Sequence, residues 1–113
     1  MASDAWRMSE WEIQTAIIAA IGSLPGVLVE RTNTGSAVDP RTGRRIQFGV
    51  PGAPDLRVTA RGRSIAVEVK TATGRQSPEQ RRWQAAFEAA GGIYVLARDV
   101  ATVRDIVQQV LDT

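Results

Sequence analysis

The sequence contains no cysteine and no histidine. Those absences exclude disulfides, zinc sites built on Cys or His, thiolate nucleophiles, histidine general bases and the Ser-His-Asp triad. Without cysteine no redox compartment is marked, and a reducing cytosol fits. Apolar stretches are short and patterned, so no membrane span is expected. Met1 to Met8 lacks a charged region followed by an apolar core, and reads as no signal peptide. Lysine is nearly absent as well: of fourteen basic residues only Lys70 is a lysine. Where a cation meets a reacting phosphate, a compact ammonium and a forked guanidinium are not interchangeable. The place of that one lysine is therefore the first pointer to chemistry.

What is present fits one compact domain over residues 1–113, with 43% hydrophobic and 23% charged residues. Net charge is only +2, but from Arg41 to Arg63 six arginines stand against one acid, Asp55. Such a local basic surface suits a polyanion such as nucleic acid. The plain alternative is a solvated arginine-rich loop.

The periodicity predicts a helix over Ser9 to Leu24, with Ile13, Ile17 and Ile21 on its buried face and Ser9-Glu10-Trp11-Glu12 as a capping box. Pro25-Gly26 ends it. Val27 to Arg31 reads as a strand, and Thr32 to Gly52 as a long loop or irregular hairpin. Leu56 to Thr59 and Ser64 to Lys70 read as strands around a tight turn at Arg61-Gly62. Ser77-Pro78-Glu79-Gln80 starts a second helix, with Trp83, Ala86, Phe87 and Ala90 inward and Gly91-Gly92 as its stop. Ile93 to Ala97 reads as a strand, and Asp99 caps a last helix with Val103, Ile106, Val107, Val110 and Leu111 inward. The order is helix, three strands, helix, strand, helix. Trp83 and Phe87 read as core, while Trp6 and Trp11 suit core, a dimer contact or base stacking.

A symmetric hairpin about Arg61-Gly62 sets Asp55 opposite Glu68, and alternation puts Asp55, Glu68 and Lys70 on one face. Facing carboxylates repel, and a divalent cation compensates directly. Oxygen donors without His or Cys point to magnesium or manganese. Lys70 would neutralise charge and hold a water or a phosphate oxygen; the plain alternative is a structural ion pair on an exposed sheet face. Helical phase sets Glu10 beside Ile13 and Ile17 on the buried stripe, as a ligand or water-orienting group, and Glu12 on the far side. For Glu10 the alternative is a surface glutamate, and for Gln80 simple helix capping.

Together these motifs resemble the VRR-NUC family of virus-type replication-repair nucleases, in the PD-(D/E)XK superfamily. Gly52-x-Pro54-Asp55, Glu68-Val69-Lys70 and Ser77-x-x-Gln80 carry the likeness. So do Ser9-Glu10-x-x-Ile13-Gln14-x-x-Ile17 and Arg31-x-Asn33-x-Gly35, so that it spans residues 9–98. The resemblance implies an α/β, restriction-endonuclease-like αβββαβ core with a mixed four-stranded sheet flanked by helices, here followed by a C-terminal helix. It implies that Glu10, Asp55, Glu68 and the Val69 carbonyl bind the metal, that Lys70 is catalytic, and that Gln80 stands near the site. It also implies a homodimer similar to Holliday-junction resolvases. The long stretch from Ser36 to Phe48 departs from the family pattern and bears on substrate preference.

The expected function is thus a Mg²⁺-dependent endonuclease of the cytoplasm, in a bacterium or a phage-infected host, with Mn²⁺ as substitute and branched DNA as substrate. No zinc, haem or nucleotide cofactor is expected. Arg31, Arg41, Arg44, Arg45, Arg61 and Arg63 are expected to hold backbone phosphates, which gives affinity without reading sequence. The rivals are a flap, nicking or restriction-type nuclease on the same fold, a non-catalytic DNA-binding scaffold, and an interaction module without a nucleic-acid role.

Overall fold

Ser9 starts the first helix, α1 (Glu10–Ile21), with both halves of a capping box. The Glu12 amide donates to Ser9 Oγ at 3.1 Å, and the Ser9 amide donates to Glu12 Oε1 at 3.3 Å. Ile13, Ile17 and Ile21 are fully buried, so the apolar phase falls where its spacing predicted. The helix stops at Ile21, earlier than Leu24. Gly22 caps it, and Pro25 disfavours helical backbone in the residue before it. The computed structural model describes residues 8–32 and 35–113, with 35, 36, 47 and 48 described by backbone alone. Trp6 lies outside the described residues, as does Asn33.

Strand β1 (Val27–Arg31) follows, then β2 (Gly35–Val38) and β3 (Arg45–Phe48). The latter two pair antiparallel as a separate hairpin within the arginine-rich stretch. Its tip is closed by the Asp39 amide on the Arg44 carbonyl and the Gly43 amide on the Asp39 carbonyl, both 2.8 Å. The main sheet adds β4 (Leu56–Ala60), β5 (Arg63–Val69) and β6 (Ile93–Ala97), in the order β1-β4-β5-β6. β4 and β5 pair antiparallel with Leu56 opposite Val67 and Thr59 opposite Ser64, the predicted register. β5 and β6 are parallel, which requires a crossover; α2 (Pro78–Ala89) supplies it. The last element is α3 (Val100–Asp112), capped by Asp99. The core order is the expected αβββαβ plus a helix, with the β2–β3 hairpin inserted.

Alternation gives the sheet two unlike faces. Leu56, Val58, Ile65, Val67, Val69, Val95 and Ala97 form a dry layer with Ile13, Ile17 and Ile21 of α1 and Val103, Val107 and Val110 of α3. The second face carries Ala66, Glu68, Tyr94 and Leu96, and α2 lies over that half alone. Trp83 stacks on Phe87 at 4.8 Å between centroids and tilts against Tyr94 at 6.2 Å. The expected buried face of α2 is only partly realised. Trp83 and Phe87 are half-buried, Ala86 and Ala90 are exposed, and no residue of α2 is fully buried. The reason is coverage: α2 spans β5 and β6 and leaves Leu28, Glu30, Arg57 and Thr59 of the neighbouring strands open. Trp11 is not core either, being 64% exposed.

Gly52 joins α2 to the loop that leads into β4. Its φ is +82°, and a Cβ there would overlap the Glu79 carbonyl and stand 3.0 Å from the Gln80 amide nitrogen. Only glycine meets both demands. Gly52→Ala is therefore expected to cost about 2 kcal/mol or more, read as a lower urea midpoint at unchanged slope. An unchanged midpoint would mean that the loop and the helix separate at no cost.

Candidate functional site

Three elements deliver the polar groups to the uncovered edge of the second face. Asp55 stands immediately before β4, Glu68 is the penultimate residue of β5, and Lys70 follows β5 directly. The loop before Asp55 is held by the buried Pro54, by the Thr32 hydroxyl on the Pro54 carbonyl, and by the Thr32 amide on the Asp55 carbonyl at 3.0 Å. Asp55 extends the β4–β5 register by one residue through its side chain: the Val69 amide donates to Asp55 Oδ2 at 2.8 Å. Lys70 continues the β5–β6 ladder, its amide donating to the Ala97 carbonyl at 2.9 Å.

Glu68 is the one buried charged side chain among the described residues, at 2% exposure. Its Oε1 accepts from Gln80 Nε2 at 2.5 Å and lies 3.8 Å from Lys70 Nζ. Its Oε2 is buried with no partner. Burial first, and then the neighbouring Asp55, push the Glu68 carboxyl up to about 8. Asp55 is raised too, chiefly by burial, while the Val69 amide and the Lys70 charge pull it back. Beside the Asp55 carboxylate Glu68 keeps its proton more readily, as the second of two neighbouring acids does.

Gln80 links the helix cap to Glu68. Its Oε1 accepts from the Ser77 amide at 2.8 Å as half of a capping box, which aims its Nε2 at Glu68. The helix cap thus fixes the orientation of the Glu68 carboxyl. Glu10 sits half-buried in the first turn of α1, and its charge also raises Glu68, so the predicted helix phase places it toward the pair. No three carboxylates converge on one point among the described residues; Asp55 and Glu68 form the close pair.

The donor set fits a hard divalent cation. Two carboxylates face each other, one oxygen is orphaned in a buried position, and every available side-chain donor is oxygen. Asp55 and Glu68 would hold such an ion.

The arginines divide. Arg41, Arg44 and Arg45 occupy the tip and rising strand of the β2–β3 hairpin, exposed, with Arg41 3.9 Å from Asp39. Arg31 is engaged internally: it donates to Thr15 Oγ1 at 2.8 Å and Gln14 Oε1 at 3.5 Å, and lies over the Trp11 ring at 3.5 Å. Arg61 and Arg63 sit at the β4–β5 turn, the opposite end of that hairpin from the carboxylates. The five residues of β4 lie between Asp55 and Arg61, a rise of about 20 Å. The basic stretch read as one surface is therefore not one surface. Sequence reading missed Arg75, Arg81 and Arg98, which meet beside Lys70; they come from three separate elements and carry no shared spacing.

The fold recurs in a solved structure. At TM-score 0.64, and covering 88% of this chain and 94% of the other, the fold matches a protein described as "VRR_NUC domain", at 24% identity. The chain has the VRR_NUC fold. No family model matches the sequence, and no curated protein matches it. The VRR_NUC likeness bears out the fold expected from the Pro-Asp and Glu-x-Lys motifs, across nearly the whole chain.

In the metal-free protein, the raised Glu68 carboxyl makes stability depend on pH. The folded Glu68 value near 8 lies above its ordinary 4.5, so the native chain retains a proton that the unfolded chain has released. Stability is greatest below the lower value and is lost as pH rises through the upper one. Asp99, shifted the other way by its capping bonds to Thr102, acts only at lower pH. The melting temperature is expected to fall by roughly 5 °C or more between pH 5 and 8, and Glu68→Gln should remove most of that slope. A flat profile in the native sequence would show that Glu68 ionises as it does in water.

Proposed function

We propose that the protein is a divalent-cation-dependent endonuclease of DNA, a member of the VRR-NUC family in the PD-(D/E)XK superfamily. The observation that carries this reading is the orphaned Glu68 Oε2, buried beside Asp55 and within reach of the only lysine in the chain. A buried carboxylate pair held this way has to be neutralised, by a proton or by a cation. The VRR_NUC fold supports the same reading, and the motifs at Asp55, Glu68, Lys70 and Gln80 coincide with the pair and its neighbours.

A cation bound there supplies Lewis acidity toward the phosphate and offsets charge in the displacement. The rest is the work of the chain. Asp55 and Glu68 would hold the ion, and the family resemblance would add Glu10 and the Val69 carbonyl as further ligands. Gln80 keeps Glu68 in one rotamer through the capping box. Lys70 Nζ stands where it can orient the attacking water or stabilise the phosphate oxygen that gains charge. The water oxygen forms a new bond to phosphorus as the ester P–O bond breaks; the proton lost by water passes to solvent, and the departing alkoxide takes one from solvent. Arg41, Arg44 and Arg45 on the hairpin hold backbone phosphates, and the hairpin gives the protein an arm toward a neighbouring duplex. Branched DNA cut by a homodimer, one site per strand, is the substrate reading that the family resemblance supports.

The deciding experiment presents labelled four-way junction, flap, single-stranded and duplex DNA with Mg²⁺, Mn²⁺ or EDTA. Cleavage is expected only with metal, most rapidly on the junction. Full activity in EDTA or in Asp55→Asn would sink the two-carboxylate mechanism. Lys70→Arg keeps charge but changes size and donor geometry; it should lose most activity while still binding DNA, and near-normal turnover would return Lys70 to a structural ion pair. Mg²⁺ binding should release about one proton per ion near neutral pH, because the ligands bind deprotonated. Calorimetry in buffers of unlike ionisation enthalpy reads this directly. Replacing Arg44 and Arg45 with Ala should flatten the salt dependence of DNA binding by up to about two units, at roughly 0.9 per phosphate contact.

A further inference from the structure

Beside Lys70 lies a second basic site that belongs to none of the sequence motifs. The chain from Ala72 to Gln76 connects β5 to α2 and lines a cleft of about 520 Å³, with Leu96, Arg81 and Arg98 on its other sides. That volume lies within the range of ordinary ligand sites, about 300–1,000 Å³. Three guanidinium groups meet there: Arg75 from the loop, Arg81 from the first turn of α2, and Arg98 from the residue after β6.

Arg98 builds the loop, with Nη1 donating to the Thr71 carbonyl at 2.6 Å and the Gly74 carbonyl at 2.8 Å. Arg81 Nη1 donates to the Gln76 carbonyl at 3.0 Å. These bonds use only one nitrogen of each fork and leave the remaining donors to the cleft. Among the described residues none of the three arginines is paired with a carboxylate. The cleft therefore concentrates positive charge without internal compensation. It also adjoins the proposed reaction centre: a Cβ at Gly74 would stand 3.4 Å from Lys70 Cδ, so the loop packs on the lysine stem.

We propose that Arg75, Arg81 and Arg98 form a subsite for a backbone phosphate of the DNA strand, neighbouring the phosphate that reacts. It rests on the nuclease reading and adds to it the path of the strand. From the carboxylate pair the strand passes Lys70 and crosses the β5–α2 loop, away from the Arg61-Gly62 turn. The subsite holds register along the backbone and reads no base. Arg98 is a positioning residue for the loop as well as a donor; Arg75 and Arg81 are the direct contacts.

The test measures binding, in an Asp55→Asn background without divalent cation, so that its outcome does not depend on cleavage. Strands carrying a single neutral methylphosphonate are scanned across the site. In the parent, neutralising one or two linkages is expected to weaken binding several-fold. In Arg75→Ala/Arg81→Ala the same substitutions should cost nothing, because the partner is already gone. The salt dependence should also flatten by about one to two units. Arg75→Lys/Arg81→Lys should restore most of that slope, which separates lost charge from a disturbed loop. Additive losses at every linkage, or a salt slope equal to the parent's, would overturn the subsite. Absence of metal-dependent cleavage by the native sequence, with the linkage effects intact, would overturn the nuclease reading and leave the subsite standing.

Discussion

A carboxyl group buried in a sheet against a second carboxyl is the interaction on which the rest of this molecule is arranged. Glu68 is almost wholly removed from water, and an isolated charge there would cost several kcal/mol. The surroundings answer that cost in parts. The Gln80 amide takes one oxygen, Lys70 lends its field to the same oxygen, and the Val69 amide holds Asp55 in place. One oxygen is left over. A structural ion pair would have no use for that remainder, since an exposed sheet face would hydrate it. Buried, it favours neutralisation of the pair, by a proton or by a bound cation.

The sheet can carry such a site because its two faces do different work. α1 and α3 bury one face entirely, and that layer supplies the cohesion of the domain. The other face is thereby released from the demand for a second full core. α2 covers only its β5–β6 half, through the Trp83, Phe87 and Tyr94 rings. The carboxylates sit at the boundary between covered and open surface, where one oxygen can be dry and a substrate can still arrive. Gly52 and the Ser77–Gln80 cap tie that boundary together, because the loop before Asp55 touches the first turn of the helix that orients Glu68.

The basic residues follow the same logic of place over count. Arg41, Arg44 and Arg45 ride on a hairpin outside the main sheet. Arg75, Arg81 and Arg98 surround a cleft beside the lysine. Arg61 and Arg63 are drawn off to the far turn, and Arg31 is spent on α1 and Trp11. A net charge of +2 conceals this polarity, since counting charges says nothing about their direction.

Much of this was legible before any coordinates, and for local reasons. Capping boxes at Ser9 and Ser77, the isoleucine spacing of α1, and the two-residue alternation around Arg61-Gly62 are all set within a few residues. They sufficed for the element order, the β4–β5 register and the opposition of Asp55 and Glu68. They also fixed the phase that separates Glu10 from Glu12. Non-local matters escaped them. The exposure of Ala86 and Ala90 depends on how far α2 reaches across the sheet, and the separate pairing of β2 with β3 on which partners lie in range. The double duty of Gln80 needs β5 beneath the α2 cap. The meeting of Arg75, Arg81 and Arg98 needs the parallel crossover that returns β6 beside β5. Sequence by itself determined which residue types could hold a cation and on which local face each lies, because pleat and helix pitch are properties of neighbouring peptides. Only the tertiary structure decided which of them lose their water, because burial is a property of everything packed around them.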